Sequence, residues 1–553
     1  MSTEKMHQGS RNVSPHKATG HQAQTDNEVL VRLGHEQELP RSFSMFTLAA
    51  LCSCLMATWE ALASVLATAL VSGGPPCLLY NYIAAFIFTA CITVSLAEIA
   101  SIYPTAGGQY HWVSAMSPPS KRSLPAFLTG WISIGGQTLF SASAAFAGGL
   151  QMQGLIVLNN DSFVSEPWQG VLFYWAILAY SAATNIWGLR VLPHINTAAG
   201  THYYSVFIPL FVTSRSLVLV TFRRFIGVVI TLLVMANKNS ASFVFTDFEN
   251  SSGWESDGIS WLVGLQSAVF PFLGQPTLAI GTILILYRYD AACHLSEELP
   301  NASRNVPLAM MYSVLLNGIT GLAYCIVLLF ATTSLDSLLQ TPTQFPFMEV
   351  YLQATQSRAG ATVLSAIIPI IAAAASMAGL TSSSRTLWAF ARDKATPFHE
   401  KLSRVDGKLH IPKNAVLTCV AFQWALGFIY LGSTTAFNAI ISMAIIGMYL
   451  SYLIPIVYML LYGRRQSISQ ISRYMKLPNW LGICLNVASI VWMIVAIIFS
   501  TFPILMPVTS TNMNYSIVVM IGWLFFGVVY YLFWGRKKFE APMSDTSVIL
   551  TTG

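Results

Sequence analysis

Apolar stretches of about 18 or more residues recur along almost the whole chain, divided by short polar, Gly- and Pro-containing connections. The pattern predicts spans near 45–70, 78–100, 125–155, 169–187, 260–296, 308–332, 361–384, 414–431, 437–462, 480–502 and 516–534. A further stretch, 203–236, is apolar but carries Arg215, Arg223 and Arg224. Lipid offers backbone groups no partner, so runs of this length are helices, and the expected fold is an all-α membrane bundle.

Charge fixes the number of spans. With 203–236 counted once there are twelve. Lys121, Arg122, Arg190, Arg304, the basic residues between 385 and 413, those between 464 and 476, and Arg536 to Lys538 then fall on the side of the N-terminus. The other side receives Lys238 and Arg358 with Asp161, Glu166, Asp247, Glu249, Glu255 and Asp257. Basic loops face the cytoplasm, so both termini are expected there. A thirteenth span would put the later basic loops outside. Residues 1–42 read as a disordered cytoplasmic tail with no apolar leader, 43–534 as the membrane domain, and 535–553 as a second cytoplasmic tail. Asn160, Asn250 and Asn514 open N-glycosylation patterns on the outer side, so a glycoprotein is expected.

Composition agrees with the pattern: 54% of the 553 residues are hydrophobic and only 9% charged. The formal charge of +6 is too scattered for a nucleic-acid footprint; the partner it implies is the bilayer. Eight cysteines lie mainly within apolar runs and support neither a disulfide framework nor a metal site. Ten dispersed histidines form no catalytic constellation, which argues against a membrane enzyme, and nothing calls for a cofactor.

Polar groups within apolar runs carry the chemistry. Glu60, in the middle of the first span, reads as a counter-charge for a cationic group or as a protonatable coupling group. The plainer alternative is a hydrogen-bonded helix contact. The second span ends in "SIYPTAGGQYHW", where Pro104, Gly107 and Gly108 break the helix and Tyr103 and His111 mark the boundary. This is either an inner gate or an ordinary turn. Gln137, Thr138, Ser376 and Ser382 to Ser384 sit among small residues, which most simply serve close packing. In the sixth span Pro271 and Gly274 disfavour a continuous helix. Asp290 and Glu297, seven apart, would share a helical face. Glu297, Glu298 and Arg304 read as a charge cluster at its cytoplasmic end.

Taken together, "MATWEAL", "SIYPTAGGQYHW", "YDAACHLSEELPNASRNVPLAM" and "AGLTSSSRTLWAFARDKATPF" resemble the fungal amino-acid/choline/GABA permeases of the amino acid–polyamine–organocation superfamily. The resemblance runs from about Phe43 to Trp534. It implies two inverted five-helix repeats plus two extra helices, and a substrate site where spans 1 and 6 unwind. Those breaks map to Ala57, Thr58, Trp59 and Glu60, and to Phe272, Gly274, Tyr289 and Asp290. It also implies proton-coupled uptake of amino acids, GABA, choline or, less readily, polyamines, with Glu60 and Asp290 as candidate proton sites. The plasma membrane is the default location and the vacuolar membrane the alternative.

Two segments depart from the family pattern. Residues 275–288, "QPTLAIGTILILYR", separate Gly274 from Tyr289, and 201–225 interrupts the fifth span with three arginines. An unpaired arginine at depth costs about 2.5–3.5 kcal/mol on insertion scales. Both segments read as untranslated sequence retained in a gene prediction. The competing reading is genuine insertion in a diverged or inactive permease.

Overall fold

The computed structural model describes residues 28, 30–31, 33, 37–39, 56, 58–198, 214–273, 290–333, 335–464 and 474–542. Ala57, Gly274, Tyr289 and the segments 201–213 and 275–288 lie outside the described residues, as do the side chains of Arg215 and Arg223. The described residues are mostly helical and contain no strand.

The chain enters through α1, Thr58–Ile102, which is two helical arms joined at Gly73–Gly74. Gly74 has φ 72°, and a Cβ there would lie 3.1 Å from the Asp247 carbonyl. A side chain would be strained at that φ and crowded by backbone, so only glycine turns the corner. The break matches the predicted gap between the first two spans. α2 follows, Gln109–Met116, then α3, Ser123–Asn159, α4, Pro167–Ala198, and α5, Ser214–Met235. α6, Asp257–Leu273, runs through Pro271 and ends at Leu273. Asp290 next opens a single turn, Ala291–His294, which tightens into a 3-10 turn at Ser296–Glu298.

α7, Ala302–Ala331, leads through a short helix, Leu335–Leu339, to α8, Pro346–Thr355, and α9, Arg358–Arg392. α10, Lys413–Gly432, and α11, Thr434–Tyr458, are followed by a π turn over Met459–Gly463. α12, Asn479–Ser500, and α13, Ser516–Tyr530, complete the bundle. Eight helical stretches among the described residues are long and apolar enough to cross a membrane, with α1 counted once.

Small residues position the core. α3 packs closely on α9, and α1 packs on both α6 and α7. A Cβ at Gly148 of α3 would come within 2.9 Å of the Ala372 side chain on α9. Ser141 Oγ donates to the Ser376 carbonyl across the same seam, at 3.1 Å. The Ala/Ser/Gly richness of these two helices therefore serves close approach, the packing role that it suggested. At one end of the bundle Arg358 pairs with Asp161 at 2.8 Å. These two residues were expected on one side; both are exposed, so the pair contributes little stability.

Candidate functional site

The first turn of α1 carries Thr58, Trp59 and Glu60, all buried. This turn is helical, so any unwinding of the first span does not include these three residues. Thr58 ties the turn to two neighbours: its N–H donates to Asn317 Oδ1 of α7 at 3.4 Å, and its Oγ1 to the Pro271 carbonyl of α6 at 3.3 Å. Pro271 lies within α6 near its end, and its carbonyl takes a side-chain donor from α1.

Trp59 packs edge-on against Tyr324 of α7, with ring centroids 5.2 Å apart, and against Phe225 of α5, at 5.9 Å. The Tyr324 hydroxyl meets that of Tyr351, from α8, at 2.7 Å. Glu60 has no exposed surface. Apart from its own peptide N–H, neither carboxylate oxygen has a donor among the described residues. Trp59 Nε1 is likewise unpartnered among them. Among the described residues Arg224 of α5, half-buried, is the cation whose charge reaches Glu60; Tyr324 and Tyr351 lie within the same field. A buried carboxylate without compensating donors is costly and attracts a cation. Aromatic faces beside it suit a poorly hydrated ammonium. The Phe272 ring, by contrast, stacks on Phe86 and tilts against Tyr82 on the second arm of α1.

A second polar cluster gathers most of the residues that were expected at an inner gate. The chain leaves α1 at Ile102, passes Tyr103 to Gly108, and re-enters helix at Gln109, so the expected break is present. Trp112 Nε1 donates to the Tyr103 carbonyl at 2.9 Å. Gly107 lies against the Tyr110 ring. Gly108 has φ 55°, and a Cβ there would sit 2.7 Å from the His294 ring. His294 holds the turn through Nδ1 and the Ala106 carbonyl, 3.0 Å apart, and its Nε2 lies 2.9 Å from Gln137 Nε2. Thr386 completes this chain by donating to Gln137 Oε1 at 2.7 Å.

Asp290 belongs to this cluster. It accepts from Gln109 Nε2 at 2.8 Å and lies 3.5 Å from His294 Nε2. Gln109 and His294 thus tie Asp290 to the turn at Ala106 to Gly108, whereas Thr58, Trp59 and Glu60 stand together with α7 and α8. Glu297 accepts from both terminal guanidinium nitrogens of Arg392, at 2.9 and 3.0 Å, and from the Ala106 N–H at 3.1 Å. Glu298 pairs with Arg385 at 3.0 Å. Neither glutamate is a solvated helix end: both are buried. Asp290 and Glu297 do not share a continuous helical face, because Leu295 leaves helical geometry and the next residues form a 3-10 turn. Arg304 stands apart, exposed, with its guanidinium 5.4 Å from the Tyr474 ring.

Several contributors were not singled out in the sequence. Glu98, near the end of α1, is fully buried and pairs with Arg464 through both guanidinium termini, one bond being 3.2 Å. It was visible as a carboxylate within an apolar run. Arg385 and Arg392 are seven apart on one helix and so share a face, but they counted only as loop charge. Tyr324 and Tyr351 carried no signal beyond being aromatic.

Asp393, just beyond the end of α9, accepts from the Tyr110 hydroxyl at 2.8 Å. Burial pushes its carboxyl up to about 7, against the Arg392 charge and the Tyr110 bond, which lower it. The folded value exceeds the unfolded one, so the folded chain holds this proton more tightly. The group's contribution to stability is full in acid and is lost as pH rises through about 7. Melting of the purified protein is therefore expected to fall as pH rises from about 4 to 7 and to level off above that, with a shallower slope in Asp393→Asn. Parallel slopes would remove Asp393 as the source.

Comparison with known proteins adds an independent line. A sequence model of the family described as "Amino acid permease" matches residues 43–525. The chain is 28% identical over 521 residues to a choline transporter of Saccharomyces cerevisiae, covering 93% of this chain and 85% of that one. It is 31% identical over 466 residues to a putative amino acid/polyamine transporter of Macrophomina phaseolina, covering 84% and 95%. It is 26% identical over 540 residues to an amino-acid permease of Arabidopsis thaliana, covering 93% and 96%.

Proposed function

The chain belongs to the amino acid permease family, and from that premise we propose that it carries a small amine-bearing solute, which binds against Glu60. Transport and not catalysis is the activity common to the family and the relatives. The observation that carries the substrate reading is Glu60, a fully buried carboxylate with no donor but its own amide among the described residues, beside Trp59 and Tyr324. An ammonium group supplies the missing charge, and the rings give its methyl or methylene groups an apolar surface. Amino acids, GABA, choline and polyamines all bring such a group; the relatives include transporters named for choline and for amino acids or polyamines.

The working architecture is twelve spans. Counting the arms of α1 separately and adding α4, α5 and α6 to the remaining long helices gives that number. Spans 1–5 and 6–10 form the inverted repeats of an alternating-access transporter. Both termini are cytoplasmic, in the plasma membrane or alternatively the vacuolar one, and Asn160, Asn250 and Asn514 face outward as glycosylation sites. The cluster around Glu297, Arg392 and Gly108 is the inner gate. Coupling is to protons, with Glu60 the stronger candidate, because Asp290 already has Gln109 and His294 as partners.

Arg224 supports a second reading. A guanidinium within reach of Glu60 neutralises the site from within, as in a permease that no longer transports. Uptake of radiolabelled amino acids, GABA, choline and polyamines into permease-deficient cells decides between them, using chains with and without residues 275–288. The transport reading predicts accumulation of at least one amine, abolished when the proton gradient collapses. Equal absence of uptake from both chains, with both folded in the membrane, contradicts it. Uptake by the shortened chain alone identifies 275–288 as foreign to the working protein.

A further inference from the structure

The segment that leaves α13 does not run free. Three separate contacts fix it beneath the gate. The Phe539 ring is buried, edge-on to Phe127 of α3 at 5.8 Å and tilted against Phe390 of α9 at 5.9 Å. The Glu540 N–H donates to the Asp393 carbonyl at 3.1 Å, and its carboxylate pairs with Lys394. Ser114 Oγ of α2 donates to the Pro542 carbonyl at 2.8 Å. Four residues thus bridge α2, the start of α3 and the end of α9.

Those are the elements that hold the gate pair together. Arg392, the last residue of α9, grips Glu297, and Glu297 in turn holds Ala106 in the turn before α2. Tyr110 of α2 ties the same region to Asp393. We propose that residues 539–542 are a strap which keeps α2 and the end of α9 at the separation the closed inner gate requires. Releasing the strap shifts the protein toward gate opening, because the contacts it makes exist only while those two elements stay together. A tail that merely finished folding against the nearest surface would not influence a residue on the other side of the gate.

The strap rests on the inner-gate reading given above, and the test separates the two. Ser296, on the 3-10 turn of the gate, is buried and its Oγ has no partner among the described residues. In a Ser296→Cys chain the rate of thiol labelling from the cytoplasmic side reports gate opening, measured against the parent chain to subtract the native cysteines. Glu297→Gln, which weakens the gate pair directly, is the control. Phe539→Ala, Ser114→Ala and a chain ending at Lys538 are the strap variants, each checked for an unchanged elution profile and melting point. We expect labelling to rise about fivefold in the control and in each folded strap variant. A rise in the control with parental rates in Phe539→Ala and Ser114→Ala overturns the strap. Parental rates in the control overturn the gate reading, and the strap falls with it. Failure of the shortened chain to fold leaves the two point variants to decide.

Discussion

Glu60→Gln is expected to lower the efficiency of amine uptake by about 100-fold at equal amounts of protein in the membrane. The substitution keeps the shape of the side chain, removes the charge and turns one acceptor oxygen into an NH2 donor. A cation brought out of water against Glu60 loses its hydration, and among the described residues Glu60 is the buried anion whose charge reaches Tyr324, the ring that packs on Trp59. Losing the partner of a desolvated charge costs about 2–5 kcal/mol, and 1.4 kcal/mol is tenfold, so 100-fold sits in the lower part of the range. Glu60→Asp retains the charge at a shorter reach and should recover part of the loss. Arg224 stays close in every variant, so without Glu60 it repels the substrate, which acts in the same direction. Initial-rate uptake with surface-protein quantification measures this. Unchanged uptake together with unchanged pH dependence would take Glu60 out of the site.

Glu98→Ala is expected to have the largest effect on stability. Glu98 and Arg464 are both buried, the guanidinium spans both carboxylate oxygens, and the Leu477 N–H adds a third donor at 3.2 Å. Removing the carboxylate leaves a buried guanidinium without its counter-charge, and breaking such a pair from one side costs about 3–5 kcal/mol. Taking both charges away removes that penalty, so Glu98→Ala with Arg464→Ala should melt above Glu98→Ala alone. Detergent-solubilised protein followed by intrinsic fluorescence gives the melting points. A single variant that melts like the parent would show that the pair adds nothing to stability.

Much of the architecture was readable because hydropathy reports depth. The apolar runs located the helices, and Gly73–Gly74 and Pro104 to Gly108 fell at chain breaks because those residues satisfy backbone geometry that others resist. Partnerships were far less legible. Arg385 and Arg392 lie 87 and 95 residues from their glutamates, and nothing in a linear pattern pairs charges across that distance. They were read as loop charge, although their seven-residue spacing gave them a common face. Asp290 was placed with Glu60 on the strength of the family resemblance. It meets Gln109 and His294, which tie it to the Gly108 corner. Tyr324 and Tyr351 meet because α8 folds back over α7, a tertiary event with no local signature.

The central claim is that the transported amine sits against Glu60. Electron cryomicroscopy of the protein with its accumulated amine bound tests it most directly. The account predicts ligand density with the ammonium nitrogen within about 4 Å of the Glu60 carboxylate and within about 6 Å of the Trp59 or Tyr324 ring. Density elsewhere, with Glu60 paired to Arg224 and no ligand beside it, would contradict the account.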